Sequence, residues 1–277
     1  MYNPSALASL SYGSYATPIA DQIDRDQFER EGYFVVNDIL SEDEINDAVA
    51  VIDELLPPDA QPPYVCGTGT EMNGRKALGG GHCEPRLSNL AGHPRLIEAG
   101  EMLLGGPLRI CHTSCPAVTY KSPPGAEQFG ASDHVDWPHT PPEPGDENYV
   151  SCVLHFSTVE PGGGAFIVRP GSHHFVQKCL EDPELRERAM AQEFKEMDGL
   201  QERKAMCVPA GSAVFFHAFM VHDRSENVLE VPRRVLFAHF GRCEVDELVE
   251  DRSSAFHPDQ VRSMDNRMKR LCGIPVG

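Results

Sequence analysis

Apolar residues along this chain change their spacing once. Over the first hundred or so positions they recur at helical intervals, and beyond that they alternate or form short runs between turns. A short helix ends at Gly32, and Tyr33-Phe-Val-Val36 reads as a strand. Ser41-Glu-Asp-Glu44 has the form of a capping box, a serine with a glutamate three residues on. Behind it Ile45, Ala48, Val49, Ile52, Leu55 and Leu56 share one helical face, and Pro57-Pro58 stops the run. A second apolar helix is expected over 94–104, ended by Gly105-Gly106.

The later part has a period of two. Strand-like runs fall at 108–120, 149–157, 165–168, 206–208, 213–221 and 234–240, separated by turns such as Pro161-Gly-Gly-Gly164 and Pro170-Gly171-Ser172. One charged stretch of helical spacing, 183–204, begins Asp182-Pro183, which suits an N-cap and a first-turn proline, and is expected on the outside of the β unit. With no internal repeat and no break in composition, residues 1–277 are read as a single domain, 1–20 being a loosely ordered lead-in. Helices followed by many short strands predict a mainly β fold, a sandwich or barrel with helices packed outside.

Composition narrows the function classes. With 24 Lys and Arg against 42 Asp and Glu, the net charge is -18, and such a surface repels phosphate backbones and anionic membranes. Nucleic acid and membrane are therefore not expected as partners. No apolar stretch is long enough to span a bilayer, and the opening residues lack a secretory pattern. Nine cysteines without a Cys-x-x-Cys pair read as reduced thiols of a cytoplasmic protein.

Candidate chemistry lies among the 12 histidines. In His134-Val135-Asp136 an imidazole and a carboxylate two residues apart share one face of a strand and can reach one ion. Chance supplies roughly one such triplet in a chain this rich in both residues, and His257-Pro258-Asp259 is a second; no histidine follows it, so it reads as a surface turn. After His134 comes Gly211-Ser-Ala-Val-Phe-Phe-His-Ala-Phe-Met-Val-His222. In a continuous strand His217 and His222 face opposite ways, so one at most points inward. Arg233 shares parity with Val235 and Phe237; a cation among apolar neighbours needs an anion, and its planar fork suits a carboxylate. Two histidines and a carboxylate occupy one face of an octahedral Fe(II) and leave three positions. A 2-oxo acid can fill two, its distal carboxylate on Arg233, and O2 the third.

The chain resembles the phytanoyl-CoA dioxygenase family of Fe(II)/2-oxoglutarate-dependent oxygenases, which includes ectoine hydroxylase. The likeness runs through Phe28-Glu-Arg-Glu-Gly-Tyr-Phe-Val-Val36, Lys121-Ser-Pro-Pro-Gly125, His134-Val-Asp136, Gly162-Gly-Gly-Ala-Phe-Ile-Val-Arg-Pro-Gly-Ser-His173, and Phe215-Phe-His-Ala-Phe-Met-Val-His222 with Arg233. It implies a double-stranded β-helix, or jelly roll, in which His134, Asp136 and His222 hold the metal and Arg233 the cosubstrate. Arg86 and Ser225 are the further cosubstrate candidates, and Asn227 is a third. Many members carry Gln between the first two ligands; here it is Val135. The resemblance implies oxidation, by hydroxylation first of all, of a small polar metabolite or natural-product intermediate, with release of succinate and CO2. The alternative is a cupin-like hydrolase or isomerase that does not use 2-oxoglutarate.

Trp137 opens the Pro-rich segment 137–148, a candidate lid, and with Tyr120 is a candidate substrate contact. His112, His173 and His217 are candidates to orient ligands. His82, His93, His155, His174, His239 and His257 are read as core or surface residues.

Overall fold

Local signals set several element ends. Asp24 accepts from the Gln27 backbone N–H at 2.9 Å to start α1 (Arg25–Glu31), and Gly32, at φ +76°, ends it before β1 (Tyr33–Val36). The capping box at α2 (Glu42–Leu55) forms as its sequence suggests: the Glu44 carboxylate accepts from the Ser41 N–H at 2.8 Å. Asp182 accepts from the N–H groups of Glu184 and Leu185 to start α6 (Pro183–Met190). A computed structural model describes residues 17–55, 64–66, 85–122, 133–143, 145–243, 251–256 and 258–276 of the chain. Most of the expected lead-in, Pro57-Pro58, His82 and His257 lie outside these residues.

The remaining elements are β2 (Tyr64–Cys66), α3 (Pro85–Ser88), α4 (Pro94–Leu104), β3 (Leu108–Thr119), β4 (Tyr149–His155), β5 (Phe166–Val168), α5 (Ser172–Glu181), β6 (Lys204–Met206), β7 (Ala213–His217), β8 (His222–Arg224), β9 (Arg233–Arg242), α7 (Pro258–Ser263) and α8 (Asn266–Leu271). Two antiparallel sheets result, one ordered β1-β7-β4-β9-β3-β2 and the other β6-β5-β8. Alternation along each strand divides the side chains between two cores. Val153, Val214, Phe216 and Val235 meet Phe166, Val168 and Met206 between the sheets. Leu154, Phe215, Leu236 and Phe240 face α1, α2, α4 and α8 on the other side. β4 is buried nearly throughout because both its faces are covered. Phe166 and Phe216 join the sheets, their rings 4.9 Å apart and tilted, which adds about 0.5–1.5 kcal/mol beyond burial. The fold is a double-stranded β-helix with helices packed outside.

Several elements depart from the sequence reading, and the stretch 183–204, expected to be helical, is an α-helix only as far as Met190. The run 213–221, expected as one strand, breaks after His217: the Met220 N–H returns to the His217 carbonyl at 2.9 Å, and the chain crosses from the large sheet to the small one. Parity across 217–222 therefore does not apply. The Pro170-Gly171-Ser172 turn leads into α5, a helix absent from the sequence reading. The strand expected at 206–208 lies at 204–206, where pairing with β5 sets its position.

Candidate metal centre

The sheet crossing brings two distant segments together. His134 and His222 form an isolated antiparallel bridge, each N–H donating to the other's carbonyl at 2.9 Å. Their rings lie 4.3 Å apart. Asp136 reaches back to both, with Oδ2 3.3 Å from His222 Nε2 and Oδ1 3.8 Å from His134 Nε2. One potential ligand atom from each of the three residues falls within 4.8 Å of the others. Among the described residues this is the one His/Cys/Asp/Glu group with that property.

The surroundings orient these groups. His222 Nδ1 donates to the Met220 carbonyl at 2.9 Å, which directs Nε2 toward Asp136. Phe166 and Phe216 pack on the same imidazole at 5.3 and 5.0 Å. Burial alone would depress the pKa of His222; the Asp136 carboxylate outweighs it, and the pKa is raised. Desolvation pushes Asp136 up, but His222 and then His134 prevail and hold its carboxyl well below the usual range. Two imidazoles around an ionised carboxylate suit a divalent cation, which removes the need for the histidine protons.

Neighbouring side chains fix the segment that carries His134 and Asp136. Gln192 closes a two-bond clamp on the residue between them: the Val135 N–H donates to Gln192 Oε1, and Gln192 Nε2 donates to the Val135 carbonyl, both at 2.9 Å. Asp133, fully buried, takes Arg169 Nη2 at 2.6 Å and Arg203 Nη2 at 2.8 Å. The same Arg203 atom reaches Asp223 at 3.0 Å, so one guanidinium joins the neighbours of both histidine ligands. The sequence reading missed Gln192, Asp133 and Arg203. Arg169 stood in a family-like motif, but only the fold shows what it meets.

The other candidates separate by face. Arg233, 2% exposed, is on the inter-sheet face of β9 with Val235. Adjacent Arg234 turns to the helices and forms two bonds with the Asp53 carboxylate at 2.8 and 2.9 Å. Tyr120, read as a substrate contact, belongs to the helix-facing core; the alternation that puts it there puts Thr119 between the sheets. Arg86 is exposed on α3, 3.4 Å from Glu54, in the helix layer and not in the inter-sheet space. Ser225 is half-buried just past β8, its N–H donating to the Ala165 carbonyl. Asn227 is structural: its Nδ2 donates to the carbonyls of Thr119 and Val231 at 3.0 Å. Trp137 is half-buried against Phe219, ring centroids 5.8 Å apart. The loop after it is gathered by buried Asp146, which meets His139 Nδ1 at 2.6 Å. The rings of His173 and His217 lie 5.0 Å apart and tilted, and the side chain of His112 lies outside the described ones.

A family model described as phytanoyl-CoA dioxygenase (PhyH) matches residues 28–235, from α1 to the start of β9. The chain belongs to the phytanoyl-CoA dioxygenase family. Within it the chain is similar to an ectoine dioxygenase of Stutzerimonas stutzeri (strain A1501), 28% identical over 242 residues that cover 79% of this chain and 76% of that protein. A second ectoine dioxygenase, from Sphingopyxis alaskensis, is 26% identical over 224 residues, covering 76% of this chain and 72% of that one. Solved structures share the fold. The epimerase SnoN from nogalamycin biosynthesis, in complex with Fe3+, alpha ketoglutarate and nogalamycin RO, superposes with a TM-score of 0.59 at 20% identity, over 81% of this chain and 83% of that one. HygX from Streptomyces hygroscopicus, with nickel and 2-oxoglutarate bound, gives 0.54 at 18%, over 79% and 87%. Among the described residues no helix is long and apolar enough to cross a membrane.

Proposed function

We propose that this phytanoyl-CoA dioxygenase family member is an Fe(II)- and 2-oxoglutarate-dependent dioxygenase, in which His134, Asp136 and His222 hold the metal. The observation that carries this is the convergence of their ligand atoms within 4.8 Å from two segments joined only by the fold. Bound there, Fe(II) with 2-oxoglutarate and O2 supplies oxidative decarboxylation to succinate and CO2 coupled to oxidation of the substrate. The chain's own share is positioning: the Met220 carbonyl orients His222, Gln192 sets the spacing of His134 and Asp136, and buried Arg233 offers a fork for the distal carboxylate. Family membership speaks against a hydrolase or isomerase that dispenses with 2-oxoglutarate.

The substrate in this reading is a small polar metabolite or natural-product intermediate, and hydroxylation is the outcome first expected. The ectoine dioxygenase relatives support that class. The net charge of -18 disfavours a coenzyme A thioester, whose phosphates want a basic surface. Trp137, next to Asp136 and beside Phe219, is the substrate contact nearest the metal in sequence. One catalytic unit acting in the cytoplasm fits the single family match and the free thiols of Cys111, Cys152, Cys179, Cys207, Cys243 and Cys272.

Anaerobic titration of the metal-free protein with Fe(II) and then 2-oxoglutarate tests the reading. The visible charge-transfer band of the chelate is expected in the wild type and absent from Asp136→Ala. Iron binding without a band on adding 2-oxoglutarate would reject the cosubstrate assignment.

A further inference from the structure

Arg233 lies on the middle strand of three, in the order β4-β9-β3, and the groups beside it on both flanks are unusual. Thr119 of β3 stands directly opposite Arg233 in the ladder, so the two side chains share the inter-sheet face with their Cβ atoms about 5 Å apart. Thr119 is 1% exposed, yet its hydroxyl has no hydrogen-bond partner among the described residues. Its backbone is held by Asn227 Nδ2 at 3.0 Å, and its methyl rests against Gly164, where a Cβ would come within 3.1 Å. Gly164 therefore leaves room for the threonine.

On the other flank, His155 of β4 is opposite Val235, which makes Arg233 its diagonal neighbour. His155 is fully buried, and among the described residues neither ring nitrogen has a partner in hydrogen-bonding geometry. Burial first and Arg233 second push its pKa down to about 3, against a weaker pull from the nearby carbonyls of Val153 and Ser212. The imidazole is thus neutral, with one N–H to give and no second charge to bury beside the guanidinium.

Buried polar groups without partners are costly and few. Here two donors of this kind flank one buried cation, on one face, between the sheets. We propose that Thr119 and His155 join Arg233 in a three-strand seat for a carboxylate, which on the functional reading above is the distal carboxylate of 2-oxoglutarate. The charges match one to one. A carboxylate offers about four lone-pair directions: the Arg233 fork takes one side, and the Thr119 O–H and a His155 N–H fill the rest. Neither residue is a metal ligand; both set which 2-oxo acid the site accepts.

The test compares two acids on the anaerobic Fe(II) protein. 2-Oxoglutarate and 2-oxobutyrate share the chelating end, but only the first has a distal carboxylate. Each is titrated by its charge-transfer band into wild type, Thr119→Val, Thr119→Ser, His155→Leu and, as a benchmark, Arg233→Ala. Thr119→Val and His155→Leu are expected to weaken 2-oxoglutarate about tenfold, the loss of one hydrogen bond to a charged group, and to leave 2-oxobutyrate unchanged. Thr119→Ser should keep wild-type affinity. Without 2-oxoglutarate, Thr119→Val should melt no lower than wild type, since its hydroxyl has no bond to lose. The seat is overturned if both variants bind 2-oxoglutarate as the wild type does while Arg233→Ala does not, or if both acids weaken together. An effect at one residue alone removes the other from the seat and refutes its three-strand form. Should His155→Leu fail to fold, His155→Phe, which keeps a ring of similar shape without a donor, decides in its place. A wild type that forms no chelate with either acid refutes the iron and 2-oxoglutarate reading itself, a distinguishable failure.

Discussion

Replacing Gln192 by alanine cuts both bonds that hold the backbone between His134 and Asp136. Each is 2.9 Å long, and Val135 is buried, so its N–H and C=O lose their partners with little access to water. A net loss of about 1 kcal/mol per bond, plus part of the penalty for leaving buried backbone groups unpaired, gives about 2–4 kcal/mol of stability. The functional effect is separate. Two ligands whose spacing is no longer set must be ordered by the metal, which costs about 10–100-fold in metal affinity. Gln192 also has a left-handed backbone, φ +61°. Gln192→Gly should therefore be less destabilised than Gln192→Ala, by about 1 kcal/mol, while losing as much metal affinity. Gln192→Glu keeps the acceptor for the Val135 N–H and loses the donor, and falls between. Urea unfolding and Fe(II) titration against a competing chelator measure the two quantities. If Gln192→Ala binds Fe(II) with wild-type affinity, the clamp does not set the ligand geometry.

Three further outcomes are expected. Arg203→Met leaves buried Asp223 without its ion pair and Asp133 with Arg169 alone; urea unfolding should show a loss of about 2–4 kcal/mol, reduced from a fully buried pair because the guanidinium is partly exposed. Burial would raise the pKa of Glu44, but bonds to His93 and Ser41 lower it to about 2, so its contribution to stability is complete above pH 4.5 and lost as pH falls toward 2. Glu44→Gln should flatten that acid limb of the stability-versus-pH curve, and an unchanged limb would assign it to other groups. Gly32→Ala places a Cβ 2.3 Å from His173 Nδ1 at a φ of +76°, and thermal unfolding should show a loss of about 2–4 kcal/mol.

Local chemistry is what the sequence by itself determined. The capping box at Ser41, the N-cap at Asp182 and the end of α1 at Gly32 each depend on atoms within a few residues, and each formed where its pattern lies. The family was legible too, because its motifs keep their order along the chain and do not require knowing what touches what. The contrast between Arg233 and Arg234 followed from strand alternation, and the structure supplies Asp53 as the partner of the second.

Tertiary structure decided the rest, because it depends on pairings between residues far apart in the chain. Nothing near Ala218 announces that a strand ends there, and only the sheet crossing makes His222 the bridge partner of His134. Tyr120 and Arg86, read as site residues, went to the helix layer with the faces that carry them. Gln192 meets Val135, and Arg203 joins Asp133 to Asp223, from a stretch whose helical spacing says nothing of the loops that follow Met190 or of what they touch. His155 shows the difference most clearly. In the sequence it is one histidine in an apolar run, best read as core; in the fold it is a buried donor without a partner beside a buried cation. Burial and cross-strand register gave it that chemistry, and neither exists until the sheets have formed.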